Sequence, residues 1–420
     1  MSKKQKILRS LYSIIFLDQT YLTLTFPLIT LLFFDTQSRL FPPETSNMVR
    51  SMWYGACVAL PNLLNLFFSP LLSALSDELG RKKILLIEIF SAFLFTSTVG
   101  LGVFFGRVYL IFIGFAIKGA FSRVNPTALA MIGDIAAKDK KILLMGYLQF
   151  AISVGAAIGP ILGGYFAKRY YFSFLNFSLP FFIAAILALI NTVLAYYFIH
   201  ETRPLNSRLK WQQFNVNAFK QVLMQPDVIR ISLILLLIQS SWSMYYQFIP
   251  PTLKSIYQFD SHRLGLFIGM IAFWLAIATG IGIRFFHHYL DLRQMLLLSV
   301  YLILGGLFLT YLSCAQILPG SNHFVWLSAF PIAAGDVIAY SCLTALYSNA
   351  VGHTQQGKVM GIALFIVSLT WAITGFLGGI LLSLSPLLPL LIAPTGVITC
   401  ILLIHADFGR KLMLSFEDID

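Results

Sequence analysis

Long apolar runs alternate with short polar stretches along the chain. Runs near 8–34, 48–75, 84–105, 109–133, 142–167 and 172–199 are followed, after an interruption, by runs near 228–253, 264–288, 294–315, 323–347, 359–384 and 386–406. At 1.5 Å per helical residue, a run of about 20 residues spans the ~30 Å hydrocarbon layer of a bilayer, so the pattern predicts twelve transmembrane helices. The interruption divides them six and six: 1–199 forms a first half, 200–227 a linker, 228–406 a second half and 407–420 a tail. In the linker, LKWQQFNVNAFKQVLMQPD sets Trp211, Phe214, Ala218 and Val222 on one helical stripe that stops before Pro226. That stripe predicts a helix lying on the membrane surface; a linker with stray aromatics is the plainer reading.

Composition agrees with this pattern and removes alternatives. Hydrophobic residues make up 58% and charged residues 11% of the 420 positions. Soluble domains carry about 25% charge, so a disordered chain, a disulfide-stapled secreted domain and a cytosolic enzyme are all excluded. The expected fold class is an all-α polytopic membrane protein.

The net charge of +12 would suggest a nucleic-acid partner in a soluble protein, but position excludes that here. Nineteen Lys and Arg fall on the side of the even-numbered loops and the termini, and seven (Arg39, Arg50, Arg107, Lys168, Arg169, Lys254 and Arg263) on the other. This asymmetry predicts both termini in the cytoplasm of a plasma-membrane protein, or an inner-membrane one if the source is Gram-negative. The start, MSKKQKILRS, resembles the n-region of a signal peptide, yet the apolar run behind it continues to Phe34, so we expect an uncleaved first helix. Cys57, Cys314, Cys342 and Cys400 are scattered through apolar stretches without CxxC spacing and read as packing residues, with no metal site expected.

The polar loops carry motifs. After segment two comes SALSDELGRKK, where Asp77, Gly80, Arg81, Lys82 and Lys83 combine a tight turn with a carboxylate able to latch a helix end. A degraded counterpart, GIRFFHHYLDLRQMLLL, follows segment eight. Segment five carries GAAIGPILGG, in which Gly155, Gly159, Gly163 and Gly164 permit close helix approach and Pro160 bends the helix. HETRP, with Glu201 and Pro204, ends the first half, and QQGKVMGIALFIVSL, with Gln356, Gly357 and Gly361, opens segment eleven.

On these residues the chain resembles the major facilitator superfamily of transporters over nearly its whole length, and within it the twelve-helix drug:proton antiporter branch. The resemblance implies two six-helix halves and a loop after segment two that holds the outward-facing state and controls switching. Ser73 replaces the loop's usual first Gly and Glu78 its usual base. The segment-five glycines resemble the signature of the branch's proton-driven exporters.

Four ionisable residues lie where lipid should be: Asp18 in segment one, Lys118 and Arg123 in segment four, and Asp336 in segment ten. Each costs roughly 2.5–3.5 kcal/mol at mid-membrane on insertion scales, which makes them functional candidates. Asp18 has Tyr21 and Thr25 on its face at i+3 and i+7. A carboxylate so placed can take a proton from one side and release it on the other, pairing with Lys118 or Arg123; a static buried ion pair is the alternative. The exporters' segment-four Arg position is occupied by Phe115 and the following Gln position by Lys118. Lys118 and Arg123 stand about 140° apart around a helix, so only one of them can face Asp18.

Two bases against one acid leave this half's interior positive, which suits an anionic solute such as a siderophore better than a lipophilic cation. Asp336, with Tyr340 at i+4, adds an acid in the second half, and Gln239, Trp242, Tyr245, Tyr246 and Gln247 on segment seven are candidate solute contacts. Glu88 and Asp134 lie near segment ends and are expected to organise the gate, while His287 and His288 read as interfacial.

The sequence therefore predicts a secondary active transporter, most simply a proton-coupled exporter of a small organic solute, drug-like or anionic, working by alternating access. Proton-coupled uptake of an organic anion is the alternative. A membrane enzyme would need clustered His, Asp or Cys at one membrane face and is not expected, nor is a transporter-like sensor. No cofactor is called for, and a monomer suffices.

Overall fold

In the computed structural model, residues 3–35, 37–121, 124–136, 140–167, 175–202, 221–351 and 355–406 are described. Among them, twelve helices are long and apolar enough to cross a membrane: Ile7–Phe34, Asn47–Ser73, Arg81–Phe105, Val108–Ile135, Leu143–Phe166, Leu179–Phe198, Pro226–Tyr257, Ser261–Gly282, Leu292–Cys314, Ser321–Asn349, Lys358–Leu384 and Leu388–His405. These are segments one to twelve below.

Local chemistry explains where the helices start and break. Segment one is two helices, Lys3–Leu24 and Phe26–Phe34, interrupted at Thr25 because Pro27 has no N–H to give and its ring crowds the preceding turn. Ser46 starts segment two by accepting from Val49 N at 3.4 Å. Asp291 and Gln294 form a reciprocal capping box at the start of segment nine. Segment six begins at Leu179, after a single 3-10 turn over Asn176–Ser178, where Pro180 suits a helix's first turn. Segment eight continues from Ser261–Ile277 through a π turn, Ala278–Gly282, to Tyr289. Trp211, Phe214 and Ala218 of the expected interfacial helix lie outside the described residues, whereas Val222 is buried.

Two compact units result, one comprising residues 1–213 with 258–273 and the other 214–257 with 274–420. In the first, segment one packs on five and six, three on four and six, and two on four. In the second, segment seven packs on eleven and twelve, nine on ten and twelve, and the π turn of eight on ten. Raising every number by six converts the first set of pairings into the second, so the faint motif repeat in the sequence corresponds to a repeated packing plan. The first unit's core is built from Leu11, Ile14, Ile15, Leu85, Ile89, Val124, Ala128 and Ile199, with Tyr21, Leu24, Ala92, Ala184 and Ala188 forming a second cluster. Large apolar side chains such as Phe67, Ile281 and Leu402 are exposed, as a lipid-facing exterior requires.

Candidate functional site

Asp18 is fully buried in the first unit. Its Oδ1 accepts from Tyr21 Oη at 2.6 Å and its Oδ2 from Gln19 Nε2 at 3.1 Å. Asn191 of segment six donates to Tyr21 Oη at 3.3 Å and to Ile14 O at 3.0 Å, which fixes the phenol. Thr25, expected on the same face, instead bonds Leu22 O. Lys118 lies within electrostatic range of Asp18, but no ion pair within 4.0 Å joins the two. Its Nζ sits over the Phe95 and Phe115 rings, 5.2 and 5.8 Å from their centroids. A cation held over ring faces is stabilised without a counter-charge. Phe115, at the position where the segment-four pattern of the resembled exporters has Arg, thus supports a cation without supplying one. Arg123 lies outside the described residues.

The second unit has its own centre. Asp336 is 7% exposed, and its Oδ1 accepts from Gln239 Nε2 at 3.0 Å. Gln239 Oε1 in turn accepts from Trp371 Nε1 at 3.2 Å. An aromatic chain runs on from there: Trp371 to Tyr246 (5.9 Å between centroids), Tyr246 to Trp242 (5.3 Å) and Trp242 to Tyr245 (6.0 Å). The Tyr245 hydroxyl is buried and has no hydrogen-bond partner among the described residues. Gln247 joins Ser243 and Thr374 of segment eleven in a buried polar patch. Of the predicted residues, Asp336, Gln239, Trp242, Tyr245 and Tyr246 therefore come together. The sequence reading missed Trp371, whose signal was an indole needing a partner in an apolar helix. It also missed Asn191, the lone amide of segment six.

The gate motif forms a connected network in the first unit. Gly80 has φ +97°, a left-handed conformation, and a Cβ there would run into the Glu201 carboxylate. That carboxylate caps segment three from a distance, accepting from Arg81 N at 3.0 Å and Lys82 N at 3.2 Å, where the helix dipole favours negative charge. Arg81 pairs with Asp134 at 3.4 Å and donates to Ser76 Oγ at 3.1 Å, and Thr202 donates to Asp134 at 3.1 Å. Two motifs far apart in sequence, the loop after segment two and the HETRP stretch, are thus one structural element. The Asp77 side chain and Pro204 lie outside the described residues. Glu88, expected to organise the gate, is 1% exposed and accepts from Thr127 Oγ1 at 3.0 Å. His288 is exposed, and the His287 side chain lies outside the described residues.

The glycines of segment five form a seam. A Cβ at Gly155 would stand 2.6 Å from Phe16 O, and Gly159 and Gly163 press on the backbone of Thr20 to Leu24 in segment one. Gly164 faces Ser261 and Gly265 at the start of segment eight, Gly265 meets Pro160 O, and a Cβ at Gly269 would lie 2.8 Å from Ala157 O. Gly265 and Gly269 are partners that the sequence reading did not identify. Their four-residue spacing was the signal.

Comparison with known proteins agrees with this architecture. Residues 11–375 match the sequence profile of the Major Facilitator Superfamily. The chain is 27% identical over 349 residues to the class B tetracycline resistance protein of Escherichia coli, covering 78% of this chain and 77% of that one. It is also 27% identical over 350 residues to multidrug resistance protein 2 of Bacillus subtilis, covering 81% and 82%. In fold it is similar to the human organic anion transporter MFSD10 (TM-score 0.70, 17% identity, covering 96% of this chain and 100% of that one). It is likewise similar to a D-xylose-proton symporter (TM-score 0.73, 16% identity, covering 95% and 97%). Twelve apolar helices, a packing plan repeated after six of them and a profile match over most of its length make the chain a member of the Major Facilitator Superfamily, a transporter and not an enzyme.

Proposed function

We propose that the chain is a proton-coupled exporter of small organic solutes in the plasma membrane, with both termini cytoplasmic and Asp18 as the proton carrier. The observation that carries this reading is a fully buried carboxylate whose hydrogen-bond donors, Tyr21 and Gln19, are neutral. An ion-paired carboxylate is held charged by its partner, whereas one met by neutral donors can exist in both protonation states. Export is supported by the glycine seam and by relatives named for tetracycline and multidrug resistance. The aromatic chain beside Asp336 suits a solute with flat, partly aromatic surface, which ring faces bind without demanding one exact shape.

A second reading, uptake of an organic anion with protons, draws support from Lys118, whose ammonium has no ion-pair partner among the described residues. Solute-driven proton movement in proteoliposomes containing a pH-sensitive dye separates the two. The panel comprises polycarboxylates, siderophores and cationic drugs, with wild type beside Asp18→Asn. Proton flux opposite to solute and lost in the variant is the expected result. Flux in the same direction as solute selects uptake, and transport undiminished in Asp18→Asn removes Asp18 as carrier.

A further inference from the structure

Segments three and six enclose a groove of about 440 Å³ on the outer face of the first unit. Its walls are mainly apolar: Leu86, Ile87 and Phe90 on one side, Val193, Tyr196 and Tyr197 with Thr192 on the other. Ile87, Phe90, Val193 and both tyrosines are 40–69% exposed, so the groove opens outward. Its volume falls within the ~300–1,000 Å³ typical of small-molecule sites, more than ordinary roughness between two helices.

One end of the groove is basic. Lys83, Ile87 and Phe90 share a stripe at i, i+4 and i+7, and Lys82 stands one turn before Leu86. Lys82 Nζ donates to Tyr196 O at 2.8 Å, which places the ammonium at the mouth of the groove and leaves it two further donors. Lys83 is exposed and has no partner among the described residues. Two acids of the adjoining gate network are already engaged, Glu201 by the Arg81 and Lys82 amides and Asp134 by Arg81 and Thr202. An apolar groove with the Lys82 ammonium at its mouth, and with Lys83 on the same helical stripe as its lining residues Ile87 and Phe90, complements the charge and polarity of an anionic phospholipid.

We infer that this groove retains one anionic glycerophospholipid, with an acyl chain between segments three and six and its phosphate at Lys82 and Lys83. A zwitterionic lipid carries its own cation next to the phosphate and gains less from the two lysines. One basic residue near a membrane surface is worth about fivefold in anionic-lipid binding.

The test is native mass spectrometry of the full chain in detergent, titrated with phosphatidylglycerol or phosphatidylcholine of identical chains. Phosphatidylglycerol should form the stronger single adduct. Lys83→Ala should weaken that adduct about fivefold and leave phosphatidylcholine unchanged, while Val193→Trp, which fills the groove, should remove the preference between the two lipids. Equal binding of both lipids by wild type overturns the inference, as does a phosphatidylglycerol adduct that survives both substitutions unchanged.

Discussion

The seam between segments one and five makes a prediction whose sign is informative. Replacing glycine by alanine inside a helix ordinarily stabilises by about 0.8–1.0 kcal/mol, through propensity alone. Gly146 and Gly163 lie on the same helix, Lys141–Phe166, but in different surroundings. A Cβ at Gly146 meets nothing within 4 Å, whereas one at Gly163 runs into the backbone carbonyl of Leu24, with the carbonyl carbon at 2.8 Å. A backbone carbonyl cannot rotate aside, so relief requires segments one and five to separate. Overpacking of this kind costs about 1–3 kcal/mol. The propensity gain is common to both positions and cancels in the comparison, leaving Gly163→Ala less stable than Gly146→Ala by about 1–3 kcal/mol. Cys57, Cys314, Cys342 and Cys400 are all buried, so a thiol-reactive dye followed during heating in detergent reports unfolding directly. Equal melting of the two variants, or a more stable Gly163→Ala, would refute the claim that backbone contact decides this seam.

Further predictions concern the gate and the second-unit centre. Glu201→Ala leaves the Arg81 and Lys82 amides without their carboxylate and should cost about 1–3 kcal/mol, with Glu201→Gln costing less because an acceptor remains. The same melting assay decides this, and an Ala variant as stable as wild type would show that the distant cap contributes nothing. Trp371→Phe keeps the ring but loses the bond to Gln239, and it should raise the KM of a transported solute roughly 2- to 10-fold, the factor for one hydrogen bond. An unchanged KM would take Trp371 and Gln239 out of the solute site.

Much of the fold was legible because apolar run length is set by bilayer thickness and not by tertiary detail. Segments three, five, nine and eleven match their predicted spans to within a few residues. Segment six was placed a few residues too early because hydropathy cannot tell the 3-10 turn at Asn176–Ser178 from the α-helix that follows it. The site was legible in part. Asp18 and Asp336 announced themselves as charges in apolar helices, and Tyr21 followed from i+3 spacing. Partners from other segments did not, since periodicity says which face a residue occupies and not what the opposite helix brings to it. Lys118 illustrates the gap: it was one of two candidate partners for Asp18, and spacing could not show that its ammonium rests on two phenylalanine rings. The linking of Glu201 to Arg81, 120 positions apart, likewise depends on the tertiary arrangement of segments three and six.

The contacts of Gly164 with Ser261 and Gly265 also govern the order in which the chain can finish burying itself as it is made. Segment five emerges with one glycine face served at once by segment one and another whose partner lies 97 residues downstream. At about 5–20 residues per second, that face waits on the order of 5–20 s before segment eight is synthesised. During the interval a groove of bare backbone lies open to lipid and to whatever insertion machinery accompanies the nascent chain. The first unit is thus incomplete at the moment its own six helices have been delivered, and its closure is timed by the arrival of a helix from the other half of the gene.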